Sequence, residues 1–235
     1  MIKIVKSNRT YKIRTPNQIS SVLQAYFDNT YGSRAYCGWE VAQDDTLKPS
    51  DIFVSCSLSG RPSPFDGAYW EIFNNGKKAE IEKALKGISI REHIATANFS
   101  LNALGGKIQS LLKIMTEIRG IQLPIATKIL HKKRPNLIPI LDSKLVKHYW
   151  GGQDNKLYLM KEGKNREETT LGLIDLIKKD INANIDILRE GAKKITKKLK
   201  LPRNIKNALT PLRVLDIIIW CGMVDSRFYY KGMRK

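Results

Sequence analysis

Acidic residues, cysteine, histidine and long apolar runs are all scarce in this chain, and each scarcity excludes something. The three cysteines, Cys37, Cys56 and Cys221, lie far apart with no CxxC pair, which argues against a zinc or iron–sulfur site. Their odd number argues against a disulfide framework, so the reading is of a reduced, cytoplasmic protein with buried, inert thiols. The three histidines, His93, His131 and His148, show no metal-ligand spacing, so neither a metal nor a cofactor is expected. No stretch approaches the roughly 18 apolar residues of a membrane span. The opening "MIKIVKSNRTYKIR" is basic but lacks the apolar core, about 7–15 residues long, of a signal peptide. Only 22 acidic residues face 41 lysines and arginines, a net charge of +19. Such an excess draws polyanions through long-range fields. Nucleic acid is the first partner to consider, and an anionic membrane surface the second. The second is set aside, because no helix pairs a basic face with an aromatic-anchored apolar one.

What is present suffices for a core: 42% of the 235 residues are hydrophobic, and the length suits one large domain or two small lobes. Residues 1–16 read as a short strand or arm. Ile19, Val22, Leu23, Tyr26 and Phe27 have helical spacing, with Asn17 as the candidate cap. "YGSRAYCGWE" and "RPSPFDGAYW" read as glycine- and proline-rich loops. Between them, Ser50 or Asp51 can cap a short helix. Further helices are expected over about 76–86, over a stretch carrying Leu111, Leu112, Met115 and Ile118 on one face, from Leu123–Pro124 to before Arg134–Pro135, over the amphipathic 169–189, and over "TPLRVLDIIIWCGM". "NLIPILD" reads as extended. The expectation is a mainly α chain with little or no sheet, without repeats or long linkers.

One stretch ties these elements together. Gly120-Ile121-Gln122-Leu123-Pro124-Ile125-Ala126, followed by Ile129-Leu130, resembles the helix-hairpin-helix element, whose pattern is Gly-hydrophobic-Gly, three residues, a small alanine and two apolar residues. Gly120 permits positive φ between two helices, and Ala126 lets the second approach the first. The turn then presents backbone N–H groups that suit a phosphate. Gln122 stands where the pattern has its second glycine. An ordinary αα-hairpin packed in a core is the plain alternative. Lys128, Lys132, Lys133, Arg134 and Lys144 add charge nearby, so the sequence assigns Gly120, Gln122, Pro124, Ala126 and these five cations to a DNA backbone.

In the DNA glycosylases built on this hairpin, the motif is followed by an extended proline-containing stretch and an aspartate at a helix start. Asp142 lies 22 residues after Gly120, in "LIPILDSK". The resemblance covers residues 107–150 and implies a two-lobed helix-hairpin-helix DNA glycosylase-like fold. The lobes would be approximately 1–95 with 185–235, and 96–184 containing the hairpin. It also implies catalysis by Asp142. Cleavage of an N-glycosidic bond passes through an oxocarbenium-like sugar, as glycoside hydrolysis does, and a carboxylate near the anomeric carbon stabilises that cation and orients a water. Asp142 also suits the cap of the helix that follows, and both roles fit one residue. In bifunctional members a lysine sits four residues after the first hairpin glycine. Pro124 occupies that position, so the resemblance implies no lyase activity.

Charge and aromatics extend the picture. Seven Lys/Arg against one carboxylate run from Arg119 to Lys147, and eight against one Glu from Arg189 to Lys206. Two such patches can straddle a duplex, although charge runs often mark only solvated helix faces. An enzyme acting on a flipped base needs a planar wall and a wedge. Tyr31, Tyr36, Trp39, Phe65 and Trp70, with Glu40 and Asp66 beside them, are the candidates, against the alternative of loop packing. Asp216, inside an apolar run, needs a partner, and Arg213 is one helical turn away.

A broader likeness spans most of the chain. "KRPNLIPILDSK", the late Arg-x-Leu-Asp-x-x-x-Trp of "PLRVLDIIIW" and the early "YFD" (Tyr26-Phe27-Asp28) resemble an uncharacterised bacterial protein family. The sequence reading is thus a cytoplasmic, nucleoid-associated monofunctional DNA glycosylase. It would leave an abasic site in place of a damaged or modified base, with a lean toward a bulky, phage-type modification from the Gly/Ser-rich loops. Double-stranded DNA is the expected partner, with no obligate protein partner and no membrane. The alternative is a non-catalytic DNA- or RNA-binding protein on the same scaffold.

Overall fold

The computed structural model describes residues 13, 15–30, 32–39, 43–58, 65–150 and 166–224. These residues form a mainly α protein, with eleven helices and no strand among them. Residues 1–12, most of the expected N-terminal arm, lie outside the described residues.

The scaffold is built on three helices: α1 (Pro16–Asn29), α9 (Arg166–Lys198) and α11 (Pro211–Val224). Helix α1 begins with a reciprocal cap: Thr15 Oγ1 accepts the Gln18 N–H, and the Gln18 side chain accepts the Thr15 N–H. The cap is therefore Thr15 and not the expected Asn17. The reason is Pro16, which fits only the first turn and pushes the cap to the residue before it. The apolar face read from spacing is the one buried: Ile19, Val22, Leu23, Tyr26 and Phe27. Helix α9 packs along α1. Its 33 residues span about 50 Å at about 1.5 Å per residue. Close approach requires Gly191, where a Cβ would stand 2.3 Å from Ile19 Cγ2. Helix α11 packs against α1, α9 and α8 (Ser143–Trp150). The expected lobe boundary at 184/185 falls inside α9, so this one helix runs through both of the lobes drawn from sequence.

Helices α2 (Ser33–Gly38) and α4 (Phe65–Phe73) correct the two expected loops. Gly32, at φ +78, starts α2, which then buries Ser33, Tyr36 and Cys37 at helical spacing. In α4, Ala68 and Ile72 are buried four residues apart. Gly and Pro at the flanks made both stretches read as punctuation, while the apolar spacing between them was the stronger signal. In α3 (Pro49–Cys56), Asp51 caps from inside the first turn, its Oδ2 accepting the Lys48 N–H at 2.8 Å.

Helices α5 (Lys77–Lys86), α6 (Leu104–Glu117), α7 (Leu123–Lys133) and α10 (Arg203–Ala208) complete the set. Leu111, Leu112, Met115 and Ile118 of α6 and the turn after it are buried as the spacing predicts. Gly120 takes φ +87 in that turn. Ala126, Ile129 and Leu130 of α7 are fully buried.

Candidate functional site

Asp142 sits where extended chain meets helix. Its Oδ1 accepts the N–H groups of Lys144 and Leu145, both at 3.0 Å, so it caps α8. Its second oxygen accepts no hydrogen bond among the described residues. The segment before it is locked to the hairpin's second helix: Leu141 N–H donates to Thr127 Oγ1 at 3.0 Å, and that hydroxyl donates to Leu123 O at 2.9 Å. The hairpin thus sets the register of the carboxylate through one buried threonine, a link that spacing alone cannot show.

The Asp142 side chain lines a pocket of about 70 Å³ together with Lys128, Arg213, Tyr26, Thr30 and Trp220. Two buried atoms of its lining residues, Thr30 Oγ1 and Arg213 Nε, have no hydrogen-bond partner among the described residues. Buried polar groups are nearly always paired, and a water reaching this pocket is one partner open to them. Lys128 is held by its own hydrogen bond to Leu58 O at 3.0 Å. Burial lowers its pKa, partly offset by the charge of Asp142. Tyr26 and Trp220 meet edge to face at 5.7 Å. Arg213 Nη2 donates to Tyr26 Oη at 2.7 Å, its guanidinium lies over the Tyr26 and Tyr36 rings, and Nη1 pairs with Asp216, as the sequence suggested. Burial pushes the Asp216 carboxyl up to about 7, against the pull of Arg213.

A turn with Gly120 at φ +87 joins α6 to α7. Gln122 is the exposed N-cap position, Pro124 lies in the first turn and Ala126 is buried. The Gln122 and Leu123 N–H groups donate to no partner among the described residues, because the first bonds of α7 are those of Ile125 and Ala126 to Gln122 O. Lys144 is half-buried and lends its backbone to the cap.

The cations beyond the hairpin are corrected. Lys128, Lys132, Lys133 and Arg134 are all buried: Lys133 and Arg134 are taken up by carboxylates and carbonyls of the fold, while Lys128 and Lys132 reach only the walls of pockets, so the four do not line an open phosphate track along a DNA backbone. Lys133 Nζ bonds Asp51 at 2.8 Å, Asp44 at 3.0 Å and Thr46 O at 2.6 Å. Arg134 takes Leu85 O and Ile88 O at the end of α5, both at 2.8 Å, and pairs with Asp45. Lys132 donates to Cys37 O and Trp39 O at the end of α2. These acceptors come from segments 46 to 95 positions away, beyond the reach of local charge counting.

The aromatic candidates separate. Tyr36 is buried and donates to Lys128 O at 2.8 Å, which excludes it as a wedge. Trp39 is 43% exposed and Trp70 61% exposed. Tyr31 and Glu40 lie outside the described residues, as do the side chains of Phe65 and Asp66 at the start of α4. Sequence reasoning did not assign Tyr26, Thr30 or Trp220 to a site: Tyr26 and Trp220 entered only through the stretches shared with the broader family, Thr30 carried no signal, and Lys128 was read as a backbone contact and not as a group beside Asp142.

Residues 19–222 match the model of a family described as a "Family of unknown function (DUF6308)". The chain belongs to that family. Neither a comparison with curated proteins nor one with solved structures gave a match. No helix among the described residues is long and apolar enough to cross a membrane. No group of three or more His, Cys, Asp or Glu among them is placed to hold a metal ion.

Proposed function

We propose that this protein is a monofunctional DNA glycosylase on a two-lobed helix-hairpin-helix scaffold, hydrolysing the N-glycosidic bond of a damaged or modified base in repair or phage defence. The observation that carries the reading is the setting of Asp142. One oxygen is fixed by α8, the carboxylate lines a pocket with an unpaired buried hydroxyl, and Thr127 ties its register to the hairpin. A carboxylate so held stabilises an oxocarbenium-like sugar and orients the attacking water. Lys128 lies beside its charge, and the N–H groups of Gln122 and Leu123, free among the described residues, offer a phosphate contact.

The pocket's volume of about 70 Å³ suits one or two waters, each occupying about 30 Å³ in the liquid. It is below the roughly 150 Å³ cavity that accepts benzene. On this reading the pocket takes the attacking water, and its volume gives no support to a bulky base. The test is mass analysis of bases released from DNA carrying small lesions or hypermodified cytosine. Wild type releases a base, and Asp142→Asn abolishes release while leaving DNA affinity intact. Wild type inert on every substrate overturns the reading and leaves the non-catalytic nucleic-acid-binding alternative, which the unusually high positive charge favours.

A further inference from the structure

A second cavity, of about 660 Å³, opens where the ends of α2 and α7 meet α10. That size falls in the range of about 300–1,000 Å³ typical of small-molecule and cofactor sites. Its lining includes Lys48, Lys132, Arg203 and Arg213, and no aspartate or glutamate is among its described lining residues. A cleft with four cations and no carboxylate calls for an anion. Arg213 is already neutralised by Asp216, so it forms part of the floor. Lys132 is different. It is 8% exposed, yet its acceptors are the carbonyls of Cys37 and Trp39, and no carboxylate pairs with it. Burial lowers its pKa to about 8, and an anion beside it would reverse that cost. Lys48 and Arg203 are exposed at the rim.

The cleft also has a platform. Trp39, 43% exposed, lines it. Its position is fixed from two sides: Lys132 donates to its carbonyl, and the Asn204 amide of α10 donates to Gly38 O. Gly38 in turn abuts Ile205, so α10 is seated against the end of α2 and brings Arg203 into the same cavity lining as Lys132. An indole beside a cationic floor is the pairing that recognises a base joined to a phosphate, because every base has a face to stack and every phosphate a charge to neutralise.

We propose that this cleft binds a nucleotide, with its phosphate on Lys132, Lys48 and Arg203 and its base stacked on Trp39. The same chemistry is offered by a free nucleotide and by one nucleotide of a single strand. The assignment does not rest on the glycosylase reading, and testing it in Asp142→Asn protein keeps the two apart.

Inorganic phosphate, thymidine 5′-monophosphate and a labelled pentathymidylate are titrated against Asp142→Asn, alone and combined with Arg203→Glu or Trp39→Ala. Both added substitutions are at exposed positions, and thermal unfolding confirms that the fold is kept. The expected result is binding of the mononucleotide, or of the pentamer alone, weakened at least tenfold by each added substitution and competed by phosphate only at much higher concentration. Mononucleotide binding assigns a free ligand; binding of the pentamer alone assigns a strand. Binding of neither, effects within twofold, or a loss in Arg203→Glu with none in Trp39→Ala each overturns the nucleotide assignment.

Discussion

Replacing Lys133 with methionine separates two incompatible accounts of the same charge. Counted along the sequence, Lys133 belongs to a cationic run suited to phosphates. In the fold its side chain is 0% exposed and bonded to Asp51, which is 1% exposed. Methionine keeps most of the aliphatic stem and removes the ammonium, leaving Asp51 as a buried carboxylate with the Lys48 N–H as its remaining hydrogen-bond partner among the described residues. Breaking one side of a fully buried pair costs about 3–5 kcal/mol. The contact to Asp44 adds little, because Asp44 is 40% exposed and water replaces its partner. For a chain of this size about 2–4 °C of melting temperature is lost per kcal/mol, so the expected drop is roughly 6–20 °C in differential scanning calorimetry. Lys133→Met with Asp51→Leu, which removes the stranded charge, recovers a substantial part of it. The slope of DNA affinity against salt should stay at the wild-type value, whereas loss of a phosphate contact lowers it by about 0.9. A melting point within 2 °C of wild type together with a reduced salt slope would refute the structural account of Lys133.

Three further outcomes follow from the geometry. His131 is buried, bonded to Ile138 O, and burial lowers its pKa from 6.5 to about 3. Between those values the unfolded chain holds a proton that the folded one excludes, so its contribution is fully present above pH 6.5 and is lost as pH falls toward 3. The stability difference between wild type and His131→Gln, from urea titrations, should shrink by about 1.4 kcal/mol per pH unit across that window, and a constant difference counts against it. Gly120→Ala puts a Cβ at φ +87 and should cost about 1–2 kcal/mol by urea midpoint, with an unchanged midpoint as the contrary result. Borohydride trapping on abasic DNA should yield no adduct, since Pro124 stands at the lyase position and the Lys128 amine is engaged by Leu58 O; a trapped band lost in Lys128→Ala would make Lys128 a nucleophile and the protein bifunctional.

Periodicity and turn chemistry were legible in the sequence because they act over a few residues. The buried face of α1, the α6–turn–α7 hairpin with Gly120 at positive φ, the cap role of Asp142 and the Arg213–Asp216 pair all depend on neighbours within about one or two helical turns. The same locality misled where punctuation competed with spacing, as in α2 and α4, where glycine and proline in and around the helices masked the apolar spacing. What only the tertiary structure decided is the environment of each charge. Lys132, Lys133 and Arg134 read as one basic run, but each finds its acceptors on α2, on the segment before α3, or at the end of α5. Burial of an ammonium or guanidinium depends on whether distant carbonyls and carboxylates arrive to meet it, and no local pattern encodes their arrival. The setting of Asp142 is of the same kind. The sequence by itself placed a carboxylate at a helix start, while the pocket around it, with Tyr26, Thr30 and Trp220, exists because α1 and α11 pack together beside α8.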